Sequence, residues 1–158
     1  MTASKPSTSE GNPTTTLPEW PVRTIAVFVT VDQGPHAIPV SAPVRADGHT
    51  ILLSLYRSQD SLARLRRHPE VALTVLAEGN IAFTARGTAR VIDEPMTDAL
   101  DYAAVAIDVT DIDDHRQAAF TVEAGVERKW IDENEKRAMG MRTKALQQLA
   151  AGSDRTES

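Results

Sequence analysis

"HAIPVSAPVRADGHTILLSLYRSQDSLARLRRHPEVALTVL", residues 36–76, decides the fold. Its first part, "AIPVSAPVR" (37–45), reads as one strand in spite of two prolines. Proline cannot donate to a ladder, so this strand belongs at an edge or carries a bulge around Pro39 and Pro43. "ADGH" (46–49) holds Asp47-Gly48, a strong hairpin signal, and leads into the apolar strand "TILLSLY" (50–56). A helix follows over 58–67, with Ser58, Asp60 and Ser61 each able to cap it and Leu62 and Leu65 marking its inward stripe. Pro69 stops that helix, and "EVALTVLAEG" (70–79) alternates Val71, Leu73 and Val75 as the next strand.

The pattern extends in both directions. "TIAVFVTVD" (24–32) has the β-branched and aromatic composition of a strand, and Gly34-Pro35 turns it into the next. Ile25, Val27 and Val29 alternate with Ala26 and Phe28, so this strand has little polar face to give to water. Burial against a second subunit, a homodimer with the Trp130 region reaching the partner, is the expectation. Downstream, "NIAFTARGTARVID" (80–93) is the fifth strand, and "EPMTDALDYA" (94–103) suits a short helix with Pro95 in its first turn. "AVAIDVTDID" (104–113) alternates Val105, Ile107 and Val109 as the sixth strand, and 133–151 reads as a closing amphipathic helix. The order predicts a mainly β (α+β) fold, a six-stranded antiparallel barrel with peripheral helices.

Composition narrows the function. The 158 residues divide into a polar tail over 1–19, one domain over 20–151 and a frayed end over 152–158. The tail holds three prolines and eight Ser/Thr but no apolar stretch of the kind a secretory signal needs, and no run suits a membrane span. Cysteine is absent, which excludes thiolate catalysis and disulfides and fits a cytoplasmic protein. A net charge of −5 argues against general nucleic-acid binding.

Charge is unevenly placed. Val91 to Asp114 carries eight acidic residues and no Lys or Arg, whereas Arg57, Arg64, Arg66 and Arg67 cluster against Asp60 alone. The acidic group Asp108, Asp111, Asp113 and Asp114 beside His115 reads as a solvated strand end, and no metal site is expected there. Phosphate-loop, dinucleotide, zinc-protease and nucleophile-elbow motifs are all missing, so no catalytic residue is assigned. The arginine cluster has two readings. One is a solvated helix face; the other is an anion seat, since a strand feeding a Ser-capped helix aims N–H groups and a dipole at one spot. Arg57 would stand just before that spot and Arg64 one turn in from Ser61.

The same 36–76 stretch resembles the core of the pyridoxamine 5′-phosphate oxidase-like flavin-binding split-barrel family. The likeness is carried by Pro39-Val40, Asp47-Gly48, Ser54, the 58–61 turn, Leu65, His68-Pro69 and Val71 to Val75, with Gly87 in "ARGTARVID" as the family's glycine. It covers residues 22 to 93 well and the remainder by element order. The resemblance implies a homodimer with flavin sites in clefts between subunits. It puts the phosphate of FMN at Ser54, Tyr56, Arg57, Ser58 and Ser61, and the ring against Pro39, Val40 and Ser41. Where the family commonly has a phosphate-binding Lys, this chain has Asp60 or Ser61, so either Arg57 or Arg64 supplies the charge or affinity is reduced. The C-terminus "RTKALQQLAAGSDRTES" does not match the full oxidase, which argues against vitamin B6 oxidation itself. The implied function is a small FMN-dependent oxidoreductase acting on a small molecule. The alternatives are a reductase using the deazaflavin coenzyme F-420 in the same cleft, or a non-catalytic flavin- or haem-binding module.

Overall fold

The computed structural model describes residues 15–156, and residues 1–14 of the expected tail and 157–158 of the frayed end lie outside them. The strands are β1 (Ile25–Thr30), β2 (His36–Ser41), β3 (Val44–Asp47), β4 (Thr50–Tyr56), β5 (Glu70–Ala77), β6 (Ile81–Asp93) and β7 (Tyr102–Asp114). The helices are α1 (Asp60–Arg67) and α2 (Glu133–Thr156). All neighbours pair antiparallel in one sheet of order β2-β1-β5-β6-β7-β4-β3, which curls into a split barrel with peripheral helices.

The sheet has seven strands because the stretch read as one strand over 37–45 is two. Ala42 has φ 52°, a left-handed conformation uncommon for a residue with a side chain, and its N–H donates to the Thr24 carbonyl at 2.8 Å. The chain turns there, so β2 joins β1 at one end of the sheet and β3 joins β4 at the other. β2, which bears Pro39, is therefore at an edge, as the missing N–H demands, and Pro43 stands outside the ladder just before the other edge strand, β3.

The expected helix over 94–103 is absent. Hydrogen-bonded turns replace it, with Ala99 N–H on the Met96 carbonyl and Met96 N–H on the Tyr102 carbonyl. So short a segment cannot offset helix nucleation on its own, and folding back buries Met96 completely. At α1 the residue before the helix is Gln59, with no side-chain cap; Ser58, Asp60 and Ser61 do not serve. Leu62 and Leu65 are buried as the stripe required. At the boundaries, Leu17 packs into the core although the tail was expected to run to 19, and α2 continues past 151 to Thr156.

Two apolar layers result. The barrel interior holds Phe28, Ile51, Leu53, Leu55, Leu62, Leu73, Val75, Val105 and Ile107. Leu52, Ala104 and Ala106 point to the other side, where Leu146 and Ala150 of α2 and Met96 cover them. Burial on both faces explains the unbroken apolar runs of β4 and β7, with α2 lying over β3 and β4. Among the described residues no helix covers the outer face of β1 and β5, where Val27 is 43% and Leu76 50% exposed.

At Gly87 a Cβ would lie 2.1 Å from the Asp108 carbonyl oxygen, where the β6–β7 register shifts. Only glycine permits that approach.

Candidate functional site

The barrel is split where β2 comes near β4. A cleft of about 200 Å³ opens there, lined by Pro39, Val40, Ser41, Ser54, Leu55, Tyr56, Gln59 and Tyr102, with Met139, Arg142 and Thr143 of α2 as its far wall. Larger clefts of about 350 and 330 Å³ lie beside Trp20 and beside His49, away from these residues.

Pairing explains the floor of the cleft. Antiparallel register sets Tyr56 opposite Tyr102, and their rings meet edge to face with centroids 5.2 Å apart. Ser54 stands half-buried two residues earlier, opposite Ala104. The Tyr56 N–H donates to Gln59 Oε1 at 3.3 Å, and the Gln59 N–H returns to the Tyr56 carbonyl at 2.9 Å, which closes the turn into α1.

Helical spacing builds the far wall. Met139, Arg142, Thr143 and Leu146 follow i, i+3, i+4, i+7, so a single stripe of α2 faces the sheet. The Thr143 hydroxyl is satisfied by the Met139 carbonyl at 2.9 Å. Arg142 sits with its Cζ 4.0 Å from the centre of the Tyr102 ring, a cation–π contact. Among the described residues the Arg142 side chain makes no ion pair and no hydrogen bond.

A second cation approaches from the connection between β7 and α2. Arg128 donates through Nη1 to the Ser41 hydroxyl at 3.1 Å and to Met139 Sδ at 3.1 Å, with its guanidinium 5.3 Å from the Trp130 ring. Its Nη2 is buried without a partner, and burial pushes its pKa below the ordinary arginine value.

The arginine cluster is arranged differently. Arg57 reaches Glu94 at 3.3 Å and the Leu100 carbonyl at 3.3 Å, and Arg66 binds the same Glu94. Arg64 pairs with Asp60 at 2.7 Å and also donates to the Asp32 carbonyl, and Arg67 meets the Asp32 carboxylate at 2.8 Å. The hydrogen bond from Arg64 holds the Asp60 carboxyl below its usual pKa. For Glu94, burial works to raise the pKa, but the hydrogen bonds from Arg57 and Arg66 outweigh it and lower the value. Ser58 is exposed in the turn, while Ser61 is fully buried with its Oγ unpartnered.

Of the residues chosen from sequence, the cleft gathers Pro39, Val40, Ser41, Ser54 and Tyr56. Arg57, Ser58, Ser61 and Arg64 lie beside it on the turn and α1 and do not line it. Tyr102, Met139, Arg142 and Thr143 are the additions, and the i, i+3, i+4 spacing of the last three is the signal that was available in "MGMRT". The acidic strand end holds no cluster suited to a metal among the described residues, since Asp108 pairs with Arg90, Asp113 with Arg86 and Asp114 with Arg116. No helix of the described residues is long and apolar enough to cross a membrane.

No curated protein matches the chain. Among solved structures, HupZ of group A Streptococcus is similar at 16% identity and a TM-score of 0.52, with 65% of this chain and 90% of that one covered. General stress protein 26 of Bacillus anthracis is similar at 14% identity and a TM-score of 0.49, covering 57% and 82%. An F420 reductase is similar at 16% identity and a TM-score of 0.47, covering 57% and 89%. Such identities speak for the fold alone. The family model described as pyridoxamine 5′-phosphate oxidase, by contrast, matches residues 18–130, well over half of the 158. The chain belongs to the pyridoxamine 5′-phosphate oxidase family.

Proposed function

We propose that the chain is a homodimeric, FMN-dependent oxidoreductase whose flavin lies in the cleft between β2, β4 and α2. The observation that carries this reading is the convergence of Pro39, Val40, Ser41, Ser54 and Tyr56 on one cleft that also receives a guanidinium with no ion pair among the described residues. The residues present fit the group. Pro39 and Val40 offer an apolar edge to the ring, and the Ser41 and Ser54 hydroxyls offer hydrogen bonds. Arg128 is a partly desolvated cation whose buried Nη2 lacks an acceptor, an arrangement that an anionic or carbonyl-rich ligand relieves. When bound, the flavin supplies the hydride or electron-pair chemistry. The chain's own part is to bind and orient it, with Tyr56, Tyr102 and Met139 narrowing access for water.

The second subunit enters through size and exposure. Pockets for ligands of this size run to about 300–1,000 Å³, and one chain supplies a cleft of about 200 Å³. The uncovered apolar face with Val27 and Leu76 is the surface on which a second copy would complete it.

The test is the visible spectrum of the purified protein, followed by titration with FMN, coenzyme F-420 and haem. Flavin bands released on denaturation, or FMN binding at micromolar concentration or tighter, are expected. Preference for F-420 would move the reading to a deazaflavin-dependent reductase. No spectral response to any of the three would contradict the proposal.

A further inference from the structure

We propose that Arg142 of α2 is the residue that holds the terminal phosphate of the flavin nucleotide, in place of the arginines around α1. The inference rests on the flavin reading of the cleft and adds the residue that would select a phosphorylated flavin.

Availability is the first ground. An arginine fully engaged by carboxylates has its charge neutralised and its donor fork occupied, so a ligand phosphate must displace those partners to reach it. Arg57 is engaged by Glu94 and the Leu100 carbonyl. Arg64 is engaged by Asp60 and the Asp32 carbonyl. Either arginine would have to give up a carboxylate to take a phosphate. Arg142 would give up nothing of that kind, because among the described residues its guanidinium meets only the Tyr102 ring face. That contact leaves the edge of the guanidinium, with all its N–H donors, open for planar bidentate bonding.

Position is the second ground. Arg142 lines the same cleft as Ser54, Tyr56 and Gln59, the β4 residues and turn where the phosphate is expected, and stacks on Tyr102, the partner of Tyr56. The Tyr56–Tyr102 pair, locked by strand register, gives the guanidinium a rigid platform. Thr143 is buried and bonded to the Met139 carbonyl, so this turn of α2 is anchored and its neighbour Arg142 is held in place. A positive group from α2 thereby replaces the lysine that the turn after β4 lacks, where this chain has Asp60 and Ser61.

The experiment compares FMN with riboflavin, which differ by the phosphate, in binding titrations on the full chain. The forms are the unmodified protein, Arg142→Gln, Arg142→Lys and Arg57→Gln, with melting temperature recorded for each. FMN should bind the unmodified protein at least about tenfold more tightly than riboflavin. Arg142→Gln should weaken FMN by about ten- to a hundredfold and riboflavin by less than about twofold, and Arg142→Lys should recover part of the FMN affinity. Arg57→Gln should leave the ratio of the two flavins unchanged. The proposal is overturned if Arg142→Gln weakens both flavins equally, or if Arg57→Gln abolishes the preference for FMN. Should Arg142→Gln melt too low to titrate, Arg142→Lys and Arg57→Gln decide by the same ratio. Absence of binding of either flavin to the unmodified protein overturns the flavin reading itself, a separate outcome from FMN binding that ignores Arg142.

Discussion

The turn and helix over 57–67 and the stretch over 128–143 flank the same cleft, and they treat positive charge in opposite ways. In the first, four arginines stand close together in sequence, and each meets a carboxylate from Asp32, Asp60 or Glu94. In the second, Arg128 and Arg142 stand far apart in sequence, and neither meets a carboxylate among the described residues. Density of charge along a chain therefore says little about its availability after folding. The acids that occupy the first region come from the β1–β2 turn and the end of β6 as well as from α1, so the cluster pins three segments together. Such exposed pairs contribute modestly to stability, but they consume the donors that a ligand would need. In the second region the two arginines beside the cleft keep donors that no carboxylate among the described residues occupies.

The largest expected effect removes the scaffold that both regions share. Gly87→Ala sets a Cβ against the Asp108 carbonyl and should destabilise the protein by about 3 kcal/mol or more. Urea denaturation should show it, with flavin binding lost alongside; a change under 1 kcal/mol (roughly) would mean that β6 and β7 are not locked as described.

Next in size is the partner surface. Val27→Asp plants a charge in the uncovered face of β1 and should shift sedimentation at micromolar concentration from dimer to monomer, weakening association by at least about tenfold. A monomer before substitution would remove the second wall of the cleft from the account.

Acid stability sharpens the contrast further. Glu94 has a folded-state pKa below its ordinary 4.5. A depressed pKa stabilises the folded state above the unfolded value, and that contribution disappears as pH falls through the folded value. Melting temperature should therefore drop as pH is lowered below 4.5, and Glu94→Gln should lose stability at neutral pH and flatten this part of the profile. FMN affinity at neutral pH should stay within about twofold if Arg57 is structural.

The smallest effect concerns Ser61. Its hydroxyl is buried without a partner, so Ser61→Ala removes an unsatisfied group and should be neutral or stabilising by up to about 1 kcal/mol. Loss of FMN affinity in Ser61→Ala would return the phosphate to the helix start and break the comparison.

Much of this was legible in the chain. Alternation in 70–79, the Asp47-Gly48 hairpin and the Leu62/Leu65 stripe all reported local periodicity, and local periodicity survives folding. The split after Ser41 was not legible, because a left-handed Ala42 carries no propensity signal and tertiary pairing with Thr24 sustains it. The 94–103 segment misled because helix-compatible residues were overridden by burial of Met96. For the site, Pro39, Val40, Ser41, Ser54 and Tyr56 belong to the two strand ends that meet at the split, so a motif on contiguous chain could find them. Tyr102 reaches the same cleft through β7 pairing, which nothing short-range announces, and Arg142 through α2 packing, of which the helical spacing in "MGMRT" is the one local sign.

Hydrogen–deuterium exchange with and without FMN tests the location of the site most directly. Exchange should slow on FMN addition in peptides covering Ile38–Ala42, Ser54–Gln59 and Met139–Lys144, with Met139–Lys144 gaining more protection than Asp60–Arg67. Protection confined to Asp60–Arg67, or appearing instead in the separate cleft formed by 21–25 and 123–127, would contradict it.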